Sequence, residues 1–312
     1  MSHHHHQISL TADHQVLTDE GSWYELGSDA PLPNKIVCYD HDTELLHFSP
    51  LIRSLNTKTS AENSIYLYQV DNTALSFQIG IQSDVYVKNK FDDDYICRSA
   101  REVFGRAMYY KKGAPEFDGL LRQVKGPPLN FKMDRLWMFI LPRIAVWNKT
   151  FIKLKFRQAS ETSRLHEILS ELPDIQVLQS VDDTIAYIFR PDRIFPNNVV
   201  KLPLLTNYSY DERDTLLMDL FAGTNDVNLS KNLADGVQSA LVFTGYSADI
   251  HQETKDKIVR LHLLRTEPYE QLYQPTLNDE SVYAPKDQLL ISLSCLAGQY
   301  PLVRRSGVLC IL

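Results

Sequence analysis

The chain has 312 residues, 44% of them hydrophobic, and a formal net charge of −7. That is enough to bury one or two full cores, and its acidic balance excludes a general electrostatic case for nucleic-acid binding, so any such surface must be local. Cys38, Cys97, Cys295 and Cys310 form no C-x-x-C unit, which by spacing excludes a zinc site or disulfide framework and fits a reducing compartment. No apolar run approaches the roughly 20 residues of a membrane span.

Met1 to Gln7 is polar and unlike a secretory signal, and His3 to His6 read as a short affinity tag set aside from the fold. The alternative is a natural, metal-binding histidine cluster. Residues 8 to 110 read as β-rich. Gln15–Thr18, Lys35–Tyr39 and Ile65–Val70 are rich in β-branched and aromatic residues, and turn signals at Asp19-Glu20-Gly21, Asp40-His41-Asp42 and Asp71-Asn72 separate them. Such spacing suggests a compact all-β module.

Ser9 to Gly21, followed at one extra residue by Trp23, resembles the first block of the Hint protein-splicing domain of inteins. The resemblance places Ser9 at the nucleophile position, as a native serine or as a Cys→Ser replacement. A hydroxyl there needs a base and an oxyanion site beside it. Leu75 to Val87 follows the strand pattern of the block that normally carries T-x-x-H, with Gly80 in place of the Thr and Ser83 in place of the His. Alternatively, Thr11-Ala12-Asp13-His14 is itself the T-x-x-H.

Gly113, Pro115, Gly126, Pro127 and Pro128 mark a boundary. Arg122 to Arg157 is then basic, and Met133 to Trp147 within it resembles a first LAGLIDADG helix of homing endonucleases. In that alignment Val146 takes the acid position and Pro142 falls inside the helix, where it forces a kink. Lys149 to Phe156 alternates Lys153 and Lys155 with Ile152, Leu154 and Phe156, as a strand with one basic face does. In that family such strands form a saddle along DNA; the plain reading is a solvated lysine face. Glu161 to Leu172 is an amphipathic helix, and further strands are expected between Asp174 and Phe189.

Tyr210 to Ile250 reads as two helices. Asp211 caps the first, with Leu216, Leu217, Leu220 and Phe221 on one face. Gly223 to Asp226 stops it, Ser230 caps the second, and Gly245 ends it. Leu229 to Gln238 resembles the helix that follows a second LAGLIDADG motif, with Thr224 where the metal-binding Asp should stand. Asp219 and Asp226 are offset from that position and are expected to point away from it. Gln288 to Ser294 reads as a strand, and Tyr300 to Gly307 resembles a turn near an intein's end.

The resemblance implies a mixed α+β protein: an all-β Hint-like module, split into residues 8–115 and 280–312, with an inserted α/β LAGLIDADG domain at 120–275 made of two αββαββα-type halves. It implies an intein-derived homing endonuclease and splicing element, degenerate in both activities, with Ser9 at the splicing nucleophile position. Val146 and Thr224 replace the nuclease acids, and Lys149, Lys153, Lys155 and Arg157 contact double-stranded DNA. No metal ligand is assigned, and Mg²⁺ is expected only if nuclease activity persists. Expected partners are double-stranded DNA and flanking host-protein segments, with no membrane, for an intracellular monomer. The alternatives are a DNA-binding remnant without catalysis and a purely structural or interaction protein.

Overall fold

The computed structural model describes residues 6–58, 65–68, 77–104, 106–114, 130–180, 184–191, 205–252, 258–264, 270–273 and 289–312. His3 to His5, the end of the Ile65–Val70 run and most of the expected 113–128 boundary lie outside the described residues. The chain divides into two compact units. One comprises Met1–Arg122, Leu241–His251 and Leu263–Leu312; the other comprises Gln123–Ala240 and Gln252–His262.

Among the described residues, the first unit is built on three antiparallel sheets. One has the order β6 (Ile52–Lys58), β20 (Leu289–Cys295), β1 (His6–Thr11), β8 (Phe77–Gly80), β7 (Ile65–Tyr68). A second runs β10 (Ile96–Ser99), β9 (Asp84–Lys88), β11 (Met108–Lys111), β19 (Glu270–Tyr273), and the four-residue helix α1 (Ala100–Val103) follows β10. The third runs β3 (Trp23–Glu25), β2 (Gln15–Leu17), β21 (Gln299–Arg305), β4 (Lys35–Asp40), β5 (Leu46–Pro50), with β22 (Val308–Ile311) also on β21.

Strand β4 explains why these runs lack a polar alternation. Its Ile36 and Cys38 enter one hydrophobic cluster with Ile8, Leu10, Phe77 and Ile79, while Val37 and Tyr39 enter another with Leu17, Tyr86 and Leu302. Side chains alternate across a strand, so a strand with apolar material on both faces must be apolar throughout. Each fully buried aliphatic side chain contributes about 1.5–3 kcal/mol. The β21–β22 hairpin turns at Ser306 (φ 50°) and Gly307 (φ 88°), the positive-φ pair a tight hairpin needs. A Cβ on Gly307 would collide with the Ile250 carbonyl, whose own amide donates to the Gly307 carbonyl at 3.0 Å.

The second unit opens with α2 (Phe131–Ile140), whose first turn is capped by Asn130 Oδ1 accepting the Met133 amide at 3.3 Å. Leu136, Trp137, Met138, Phe139 and Ile140 are buried. The helix stops where Leu141-Pro142-Arg143 tightens into a 3-10 turn. A four-stranded antiparallel sheet follows in the order β12 (Ile144–Trp147), β13 (Phe151–Lys155), β15 (Ile185–Phe189), β14 (Val177–Gln179), with α3 (Ala159–Ser170) between β13 and β14. Helix α4 (Tyr210–Phe221) packs on α2 and leads to β16 (Asp226–Ser230) and α5 (Lys231–Val242). After β17 (Ser247–Gln252), β18 (Ile258–Leu264) returns to pair with β16, from Asp226 against His262 to Ser230 against Ile258. The cap of α4 is Ser209, not Asp211: Ser209 Oγ accepts the Glu212 amide at 3.4 Å, and Glu212 accepts the Ser209 amide at 3.0 Å.

The expected fold class is corrected. Strands predominate, spread over several small antiparallel sheets, and the β-rich unit does not define a Hint fold. Two αββαββα halves are not formed: the run after α4 places the single strand β16 before α5. The physical reason is length. Asp226 to Ser230 is directly followed by a residue run with helical apolar spacing, Leu233, Val237 and Leu241, which leaves no room for a second strand.

Candidate nucleic-acid interface

The β12–β13 hairpin closes through an Asx turn, in which Asn148 Oδ1 accepts the amides of Thr150 (2.8 Å) and Phe151 (2.9 Å). Lys149 is exposed at its tip. Along β13, Ile152 and Leu154 are buried while Lys153 and Lys155 take the opposite face, and Arg157 is exposed just beyond the strand. Successive cations on one strand face stand about 7 Å apart. That matches two steps of about 3.4 Å along one strand of a duplex.

Register carries the face across all four strands. Val146 opposes Lys153, Lys153 opposes Tyr187, and Tyr187 opposes Leu178. Lys153 Nζ lies 5.7 Å from the Tyr187 ring centroid, and Phe151 meets that ring edge-on at 5.5 Å. Val146 and Leu178 are 46% and 59% exposed, so apolar side chains and lysines share one solvent-facing surface, the kind of mixed patch that marks a binding face.

The basic strand leads into a cleft lined by Pro142, Arg143, Lys155, Arg157, Glu161, Thr224, Asp226 and Val227. Arg143 is buried there. Its Nη1 donates to the carbonyls of Phe139 at the end of α2 (2.5 Å) and Leu220 in the last turn of α4 (3.2 Å), and its Nε donates to Glu161 at 2.9 Å. A guanidinium thus occupies the point where the carbonyl ends of two packed helices converge, the end of a helix that favours a cation. Burial lowers the Arg143 pKa from its ordinary value, and the charge of Glu161 opposes that fall. Glu161 in turn accepts the amides of Arg157 and Gln158 with its other oxygen.

Thr224 follows the left-handed Ala222 cap, and its hydroxyl donates to the carbonyls of Phe221 and Asp226, both at 3.0 Å. Asp226 is among the residues lining the cleft, with Oδ1 bonded to His262 at 2.9 Å and 3.8 Å from Arg260. Asp219 is fully buried between Arg135 (2.9 Å) and Arg164 (2.6 Å). Burial pushes its carboxyl up, and the two guanidiniums pull it back.

Val146 requires a correction of place. It was aligned with a helix end, but Pro142 begins a 3-10 turn instead of kinking a helix, and Val146 lies on β12. With Val146 on a strand, Thr224 committed to backbone carbonyls, and Arg143 already supplying a positive charge, these residues do not fit a divalent cation.

Ser9 sits in mid-strand, its Cα paired with Ser292 and its hydroxyl 2.7 Å from the Ser292 hydroxyl. Its amide donates to Ser83 Oγ at 2.8 Å. These are hydroxyl partners with no basic nitrogen to activate Ser9. Gly80 makes the approach possible, since a Cβ there would stand 3.1 Å from Ser9 Cβ. Thr11 and His14 do meet, at 3.1 Å, but His14 is fully buried. Its Nδ1 lies 3.0 Å from the Thr11 carbonyl and its Nε2 accepts the Gln78 amide at 3.3 Å, so both nitrogens serve the fold.

No family model matches the chain, and no curated protein matches it. Among solved structures it is similar to full-length DUF199/WhiA from Thermatoga maritima, with 15% identity and a TM-score of 0.34 over 46% of this chain and 55% of that chain. The expected intein assignment is corrected: no family model matches the chain, those of Hint domains and homing endonucleases included. No helix among the described residues is long and apolar enough to cross a membrane.

Sequence reasoning reached Lys149, Lys153, Lys155 and Arg157 through the period-two alternation. It missed Tyr187, Phe151 and Arg143. The aromatic pair was within reach, because Ile185-Ala186-Tyr187-Ile188-Phe189 carries the same alternation with its large rings on the outward positions.

Proposed function

We propose that the outward face of the β12-β13-β15-β14 sheet binds double-stranded DNA through its phosphates, without cutting it. The observation that carries this reading is the file of Lys149 at the hairpin tip, Lys153 and Lys155 on β13 and Arg157 just beyond it. It runs into a cleft whose carboxylates, Glu161 and Asp226, are already engaged by neighbouring side chains. The phosphates supply affinity, and the half-buried rings of Phe151 and Tyr187 brace the lysines that contact them.

Fluorescence anisotropy with a labelled duplex tests the reading. Four phosphate contacts give a slope of log affinity against log salt of about −3.6, or about a 150-fold loss between 50 and 200 mM salt. Lys153→Ala/Lys155→Ala should flatten the slope by about 2 with an unchanged circular dichroism spectrum. Affinity indifferent to salt and to both lysines would overturn the reading and leave the exposed Val146 and Leu178 as the better guide, toward a protein partner.

A further inference from the structure

The first unit holds a separate group of chemistry-bearing side chains. His6 opens β1, is 6% exposed, and packs edge-on against Tyr300 with ring centroids 4.7 Å apart. It is therefore part of the fold, although the sequence sets it at the end of a tag-like run. Asp84 opens β9 and Cys97 lies on β10, where Asp84 opposes Ser99 and Cys97 opposes Tyr86. That register puts the carboxylate and the thiol on one face as diagonal neighbours, within reach of each other. One ligand atom from each of His6, Asp84 and Cys97 lies within 4.8 Å of the others, and His6 Nδ1 is 3.6 Å from Cys97 Sγ.

We propose that His6, Asp84 and Cys97 form a zinc site that clips the start of β1 to the β9–β10 hairpin. Tetrahedral zinc takes sulfur at about 2.3 Å and nitrogen at about 2.0–2.1 Å, which sets those two ligands about 3.6 Å apart. The Sγ–Nδ1 separation already has that value. A second observation concerns the setting of the ring: His6 is buried and hydrogen-bonded to the Leu312 backbone, the kind of outer partner that orients a metal-bound imidazole. Three protein ligands of types N, O and S leave a fourth position for water. Binding converts the Cys97 thiol to thiolate and releases one proton to solvent. The other three cysteines are fully buried and take no part.

The test is a Co²⁺ titration of the full chain carrying His3→Ala, His4→Ala and His5→Ala, which removes adventitious binding by the adjacent histidines. The expected result is one Co²⁺ per chain with tetrahedral ligand-field bands and a thiolate-to-cobalt charge-transfer band, all displaced by Zn²⁺. Cys97→Ser should abolish the charge-transfer band, and Asp84→Asn or His6→Gln should weaken binding at least tenfold. Zn²⁺ should also raise the melting temperature of the parent but not of Cys97→Ser. No charge-transfer band at saturating Co²⁺, or a band unchanged in Cys97→Ser, overturns the proposal. Should Cys97→Ser not fold, Asp84→Asn decides in the same way, with undiminished affinity counting against the site.

Discussion

Arg143 and Leu220 are joined across 77 positions of sequence, Nη1 donating to the α4 carbonyl at 3.2 Å while Nε holds Glu161 at 2.9 Å. One side chain therefore ties α2, α3 and α4 together at the mouth of the cleft. Arg143 and Glu161 are both almost fully buried, so removing either leaves an uncompensated charge. Arg143→Met should cost about 3–5 kcal/mol in urea denaturation. Arg143→Met/Glu161→Gln should cost less than the sum of the two single changes, because the orphaned charge is gone. Additive costs would show that the pair is not coupled.

A smaller change in the same unit should act in the opposite direction. Ala222 ends α4 with φ 42° and ψ 50°, a left-handed conformation that a Cβ disfavours. Glycine adopts it without that penalty and is the usual residue past a helix end. Ala222→Gly should stabilise the protein by about 0.5–1 kcal/mol, read as a higher urea midpoint at unchanged m-value. A neutral or negative effect would mean that the gain in unfolded-chain entropy outweighs the relief.

How much of this was legible in the sequence depended on distance along the chain. The alternation at Ile152 to Phe156 and the apolar spacing at Leu216, Leu217, Leu220 and Phe221 are local signals, and the structure buries those apolar residues as each pattern predicts. Ser209-x-x-Glu212 was a legible capping box passed over for Asp211. Arg143 was not legible, since two of its three partners lie 18 and 77 residues away and nothing near it marks burial. The cysteines show the same limit: Cys38 and Cys295 are 257 positions apart, yet their sulfurs stand 3.7 Å from each other. The family resemblance rested on short strings of packing residues, which many unrelated β-rich and helical segments share.

The cysteines also predict a count of reactive thiols. Cys38, Cys295 and Cys310 are fully buried, and Cys97 is exposed. Although the residue is exposed, partial desolvation of its sulfur, reinforced by the charge of Asp84, pushes the Cys97 thiol up to about 12, so little of it is thiolate at neutral pH and its reaction should be slow. Under native conditions a disulfide reagent should modify one thiol of the four, with the rest appearing only in denaturant. Cys97→Ser should leave none. Rapid native modification of two or more would contradict the burial of the other three.

His14 predicts how stability depends on pH. Burial lowers its pKa from 6.5, against the opposing pull of Asp13 at 3.4 Å, and the charge of Arg305 adds to the fall. A proton on the ring would also require Nε2 to stop accepting the Gln78 amide. The unfolded chain therefore takes up a proton near pH 6.5 that the folded chain refuses. The neutral imidazole's contribution is complete above pH 6.5 and declines as pH falls from there toward the lowered folded value. The slope from this one group is at most about 1.4 kcal/mol per pH unit. Asp13 is bonded to Arg305 at 2.8 Å and to Thr11 at 2.6 Å. Burial raises its carboxyl, but hydrogen bonds with His14, Thr11 and Arg305 outweigh that and hold it well below the usual range, so its own loss of stability falls at much lower pH. Unfolding free energies measured between pH 7.5 and 5 should therefore fall with acid, and His14→Asn should be less stable at pH 7.5 but show a shallower fall. An equal slope in the variant would assign the acid sensitivity to other groups.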